Sequence, residues 1–151
     1  MLREIHGVDQ RDPKRVKRWF QDDYFDLFVW QDRAGELVRF QLCYERDTRR
    51  ERALEWQRGR GFQHLAVRQR YGGSPGRDHS GDMALDGVLP YVALQDRFAA
   101  AAGSLPPRLQ AFIQDKIREY ARPARRFRRF ARSTPRWLSR LRERAAKLTP
   151  L

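Results

Sequence analysis

Cysteine is nearly missing from this 151-residue chain, with Cys43 its only example. One thiol cannot close an intramolecular disulfide, and nothing in the sequence suggests an oxidising compartment. Long apolar runs are missing as well. No stretch approaches the ~18 residues that a spanning helix needs, and the opening MLREIHGVDQRDPKR lacks the apolar segment of a secretory signal. The expectation is a cytoplasmic protein. Phosphate-cradling patterns are also absent, since neither G-x-x-x-x-G-K-[ST] nor G-x-G-x-x-G occurs. The glycine-rich stretch from Tyr71 to Asp82 therefore reads as a connector. His79, Ser80 and Asp82 in it are residue types of a hydrolytic triad, but near neighbours in a loop lack the packing that fixes such geometry. No metal and no cofactor is expected.

Acids are scarce in one region only. Residues 122–151 carry eleven Lys/Arg against a single acid, Glu143, which leaves 21 bases against 18 acids in residues 1–121. The formal charge of +13 and the pI near 11.0 thus belong mainly to a C-terminal extension. A statement about polyanionic partners is licensed for that extension and not for the nearly balanced remainder. Length and a 40% hydrophobic content suit one ordinary core, so the expected organisation is a single domain over 1–121 and an Arg-rich extension over 122–151.

Four strand-like runs fill Tyr24 to Val67: YFDLFVW, ELVRFQLCY, ALEWQ and FQHLAV, separated by QDRAG, ERDTRRE and RGRG turn signals. Symmetric closure of the first turn pairs Phe25 with Leu42, Leu27 with Phe40 and Val29 with Val38. Onward, the register pairs Leu42 with Leu54, Phe40 with Trp56 and Leu54 with Leu65, giving one apolar face across four strands. Leu2 to Val8 reads as an edge strand carrying His6, Lys14 to Phe20 as a basic approach to the aromatic pair Trp19-Phe20, and Met83 to Leu89 as a further extended segment. Pro90 opens a helix that runs to about Ala102 and ends at Gly103. Ser104 then caps a second helix whose Leu109, Phe112, Ile113, Ile117 and Tyr120 form one stripe. The expected fold is α+β: an antiparallel four- to five-stranded meander with two C-terminal helices packed on one face, plus a basic helical tail.

Side chains alternate along a strand, so the opposite face holds Tyr24, Asp26, Phe28, Trp30, Leu37, Arg39, Gln41, Cys43, Glu55 and His64. In this register Asp26, Gln41, Glu55 and His64 form a row across four strands, with Arg39 and Tyr24 at its flank. A carboxylate beside an imidazole is how a general base is oriented, so His64, Glu55, Asp26, Gln41 and Arg39 are the candidate catalytic or ligand-binding residues. The competing reading is the solvated side of an antiparallel sheet, although Trp30, Phe28, Tyr24 and Leu37 do not belong on one.

Arg18-Trp19-Phe20, the Asp23 to Trp30 strand, Phe40 to Tyr44 (FQLCY), Ala53-Leu54-Glu55-Trp56, Gly61-Phe62-Gln63-His64 and the Leu105 to Phe112 run together make a pattern. It resembles an uncharacterised family of small bacterial proteins, over most of residues 1–120. The resemblance implies a common fold and brings no activity, cofactor or catalytic residue with it. After His64 this chain departs from the family pattern, being basic and glycine-rich where the family's segment is acidic; the basic tail lies outside the pattern.

The tail interleaves arginine with aromatics. ARRFRRFAR follows Pro123, and Thr134-Pro135 opens a helical pattern with Trp137, Leu138, Leu141, Ala145 and Leu148 on one face. Arg125, Arg126, Arg128, Arg129, Arg132, Arg136, Trp137 and Arg140 suit phosphate pairing with base stacking, so RNA or DNA is the leading partner. An anionic membrane surface or a protein docked on the Trp137/Leu138 face remain alternatives. RNP1, KH and C₂H₂ patterns are absent. Three function classes stay open: a non-catalytic binding module whose tail contacts polyanions, a small enzyme or ligand-binding domain using the polar row, and a protein-interaction module docking through the Trp137/Leu138 helix.

Overall fold

The computed structural model describes residues 1–67, 83–85 and 88–122. Among the described residues seven strands follow one another, β1 (Arg3–Ile5), β2 (Val16–Gln21), β3 (Phe25–Gln31), β4 (Leu37–Tyr44), β5 (Arg52–Gln57), β6 (Gly61–Val67) and β7 (Met83–Leu85). They pair antiparallel in sequence order as one meander. Two helices come after them, α1 (Tyr91–Ala101) and α2 (Pro107–Ala121), joined through a 3-10 turn at Ala102–Ser104. The protein is therefore α+β, with three strands beyond the four central ones, so the meander is longer than the four to five strands expected. Residues Met1–Ala121 form one compact unit.

The strand beyond expectation is β2. Its Lys17 and Arg18 make the segment read as a charged approach, yet both set their charged heads over rings, Lys17 over Phe28 and Arg18 over Phe20. Arg18 also closes a two-pronged ion pair with Glu4 on the edge strand, at 2.7 and 2.8 Å. Cations with aromatic and acidic neighbours fit a strand.

The first hairpin slides by two residues from symmetric closure. Phe25 faces Tyr44, Leu27 faces Leu42 and Val29 faces Phe40. Asp32 builds the turn, its Oδ1 accepting from the Ala34 and Glu36 amides, and Gly35 takes a φ of 81° there. The register shift between Trp30 and Gln31 leaves Val38 as an extra residue, a bulge. Leu37 consequently joins the main core, whereas Val38 joins Phe28 and Trp30 on the other face. The β4–β5 register is as expected, with Leu42 on Leu54 and Phe40 on Trp56.

The β5–β6 register is not. Leu54 faces His64 and Ala53 faces Leu65. The connection is a three-residue loop, closed by the Arg60 amide donating to the Gln57 carbonyl at 3.0 Å. Gly59 and Gly61 both lie at positive φ, and an odd loop of this kind moves every later side chain to the face opposite the one an even loop selects.

The main core lies between the sheet and the helices. Phe25, Leu27, Val29, Phe40, Leu42 and Leu54 from the strands meet Leu94, Phe98, Leu109, Ile113 and Ile117 from α1 and α2. Trp56, Phe112 and Tyr120 pack at its margin. Ala101 and Ala102 are buried, where a small side chain lets the 3-10 turn come close. The Leu2 amide donates to the Ala101 carbonyl at 3.0 Å. The Ser104 hydroxyl donates to the Leu2 carbonyl, so it ties the N-terminal segment to the helix junction and does not cap α2. Pro106 starts α2 instead, its carbonyl accepting from the Gln110 amide.

Candidate functional site

The sheet face turned away from α1 and α2 reads as three rows. Lys17, Trp30, Arg39 and Gln57 make one, Trp19, Phe28, Gln41, Glu55 and Gln63 the second, and Gln21, Asp26, Cys43, Ala53 and Leu65 the third. Of the expected polar row only Gln41 and Glu55 remain neighbours. Asp26 lies one row away, opposite Cys43, because the first hairpin slides by two. His64 lies on the other face altogether, because the second register moves by one. A catalytic or metal-binding His64–Glu55 pair is therefore overturned by geometry: the two side chains leave opposite sides of the sheet.

His64 is instead a core residue. Its Nε2 lies 2.7 Å from the Tyr44 hydroxyl, the two rings stack within 7° of parallel, and Tyr120 of α2 packs against the imidazole. Buried polar groups need partners, and this pair supplies one to each.

Asp26 is almost fully buried and saturated. Its Oδ1 accepts from Trp19 Nε1 at 2.8 Å and Gln21 Nε2 at 2.9 Å, while Oδ2 pairs with Arg46 Nε at 3.1 Å. Arg46 is aimed there by a sharp reversal after β4, where Glu45 and Asp47 both adopt left-handed backbone at φ 52° and 59°. Such conformations cost about 1 kcal/mol or more each in non-glycine residues. The guanidinium recovers part of that by also donating to the Asp22 carbonyl at 3.0 Å. With three donors around it, this carboxylate ties β2 and β3 to the β4–β5 loop rather than acting as a base.

Glu55 accepts from Arg39 Nε at 2.8 Å, and Gln41 Nε2 reaches its other oxygen at 3.4 Å. Arg39 sits over an indole, its Cζ 4.3 Å from the Trp30 ring centre. Lys17 approaches the same group of rings from β2, with Nζ 4.9 Å from Phe28 and 5.4 Å from Trp30. Trp19 stacks on Phe28 at 5.7 Å. The result is an aromatic cluster roofed by two cations. Sequence parity placed Arg39, Phe28 and Trp30 on this face, but Lys17 and Trp19 escaped because β2 was not read as a strand.

Tyr24 belongs to the opposite side, packed at the margin of the main core beneath Arg97. Burial, with the Glu45 carboxylate adding to it, raises its phenol above the ordinary value, against the pull of Arg97. Among the described residues no group of three or more His, Cys, Asp and Glu side chains converges as a ligand set, and no helix is long and apolar enough to cross a membrane. The candidate tail residues from Arg125 to Arg140, the Trp137 helix, and His79, Ser80 and Asp82 lie outside the described residues.

The fold and this face together define an α+β protein built on a single antiparallel meander. No protein-family model matches the chain, and no curated protein or solved structure is significantly similar to it.

Proposed function

We propose that this is a non-catalytic binding module whose Arg-rich C-terminal extension contacts nucleic acid. The observation that carries the reading is the charge partition, with eleven bases against one acid after Ala121 and near balance before it. The packing of the globular unit adds support, because several of its cations have internal work. Arg18 serves Glu4 and Phe20, Arg39 serves Glu55 and Trp30, Arg46 serves Asp26, and Arg97 and Lys116 lie over rings. The extension, by contrast, repeats arginine with Phe127, Phe130 and Trp137 in a pattern suited to phosphates and bases. A basic helical tail after residue 122 and a cytoplasmic setting belong to the same proposal. The polar-row enzyme reading loses its basis, since His64 and Asp26 leave the row and their polar atoms are engaged elsewhere.

A salt series tests it. If the tail neutralises about six phosphates, affinity for a short RNA or DNA falls about 10³-fold between ~50 and ~200 mM salt. Replacing Arg125, Arg126, Arg128 and Arg129 together with Ser flattens that slope. An unchanged slope in this variant refutes the proposal.

A further inference from the structure

We propose that Arg49 and Arg50, at the tip of the β4–β5 loop, form a phosphate-binding prong that grips the backbone of a nucleic acid. The inference rests on the nucleic-acid reading and gives the globular unit a share in binding that is separate from the tail's.

Local hydrogen bonds build the prong. The Thr48 amide donates to the Glu45 carbonyl and the Glu51 amide to the Thr48 carbonyl, both at 3.2 Å, so two turns follow one another. Thr48 also joins them through its hydroxyl, which donates to the Glu45 carbonyl at 2.7 Å and accepts from the Arg50 amide at 3.1 Å. Left-handed backbone at Glu45 and Asp47 sets the reversal. Arg49 and Arg50 are the two corner residues of the second turn, Thr48 to Glu51. Both are exposed, and neither guanidinium takes part in an ion pair among the described residues.

The acids of the loop are directed elsewhere. Asp47 pairs with Arg46 Nη2 at 3.1 Å, Glu51 is only 3% exposed, and Glu45 lies close enough to Tyr24 to add to burial in raising its phenol. Arg18, Arg39 and Arg46, by contrast, each already hold a carboxylate of the sheet. The tip is thus a place where two consecutive cations meet solvent. Each guanidinium presents a planar fork of N–H donors that matches phosphate oxygens. Consecutive Cα atoms lie ~3.8 Å apart, so the two forks can grip one phosphate together or two in succession. A nucleic-acid backbone suits them because it repeats a charge at every nucleotide. A turn closed by its own hydrogen bonds loses little freedom when it binds.

The test uses the full chain. Fluorescence anisotropy with a labelled single strand, across ~50 to ~200 mM salt, gives the logarithmic slope of affinity against salt. Replacing Arg49 and Arg50 together with Ser is expected to reduce that slope by about 1.4, the contribution of two phosphates on a single strand. Replacing Arg33 and Arg60 with Ser removes the same charge from exposed turns at the opposite end of the meander, and the slope is expected to change little. Replacing Arg49 and Arg50 with Lys keeps the charge and loses the forks, so the slope stays native while affinity falls. An unchanged slope in the Arg49/Arg50 serine variant, or an equal reduction in the Arg33/Arg60 variant, overturns the prong and leaves the tail proposal standing. A slope that the lysine pair fails to restore means that the loop's shape was altered and not its charge, and overturns the prong as well. Failure of the native chain to bind the strand at the lowest salt defeats the nucleic-acid reading itself.

Discussion

His64 faces Leu54 across the β5–β6 ladder and shares a 2.7 Å hydrogen bond with the Tyr44 hydroxyl, two strands away. The pair is buried beside Tyr120 of α2, so it fastens the end of the sheet to the last turns of the helix. Tyr44→Phe removes one partner while keeping the ring. Denaturant unfolding is expected to show a loss of about 1–2 kcal/mol, with the slope against denaturant unchanged. Native stability in Tyr44→Phe would mean that the bond contributes nothing net.

Leu27 has no exposed surface and lies at the centre of the sheet, between Phe20 of β2 and Leu42 of β4. Leu27→Ala is expected to cost about 2–5 kcal/mol, the spread reflecting how far the neighbouring side chains collapse into the space. Thermal melts of the two proteins measure it.

How much of this was legible without coordinates depended on loop parity. Alternation in β3, β4 and β5 identified Phe25, Leu27, Val29, Phe40, Leu42, Leu54 and Trp56 as one face, and the α2 stripe identified its cover. A slide of two residues in the first hairpin does not disturb that assignment, since two is the period of a strand. One residue does. The RGRG turn offers glycine at both 59 and 61, and nothing in the residues chooses an odd loop over an even one; that choice turned His64 toward the helices and Leu65, buried all the same, to the opposite face. Val38 failed for a similar reason, because a bulge leaves no compositional trace. The candidate site inherited both errors, as each of its members was placed by register alone.

Acid should loosen the edge of the sheet. The two hydrogen bonds and the charge of Arg18 hold the Glu4 carboxyl below its ordinary value, with partial burial opposing and His6 adding a little. A depressed folded-state value means that the unfolded chain binds the proton more readily. The resulting stability is present above the unfolded value of 4.5 and is lost as pH falls through the folded one. Both side chains remain about a third exposed, and solvent screening limits the effect to about 0.5–1 kcal/mol. Unfolding free energies of the native protein and Glu4→Gln are expected to differ most near neutral pH and to converge as pH falls through the lowered folded-state value. A constant difference across that range would show that the ion pair is not its source.

Charge and stacking in the extension should separate experimentally. The eleven bases of residues 122–151 act through counterion release, which sets the salt slope, whereas Trp137 acts through its ring, which does not. Trp137→Ala is therefore expected to weaken single-strand binding about tenfold at every salt concentration, leaving the logarithmic slope as it was. The four-arginine variant does the reverse, changing the slope and converging on native affinity only where counterion release no longer contributes. A chain ending at Ala121 keeps the compact unit and removes both effects. Equal binding by that shortened chain and the full one, at every salt concentration, would end the case for the tail.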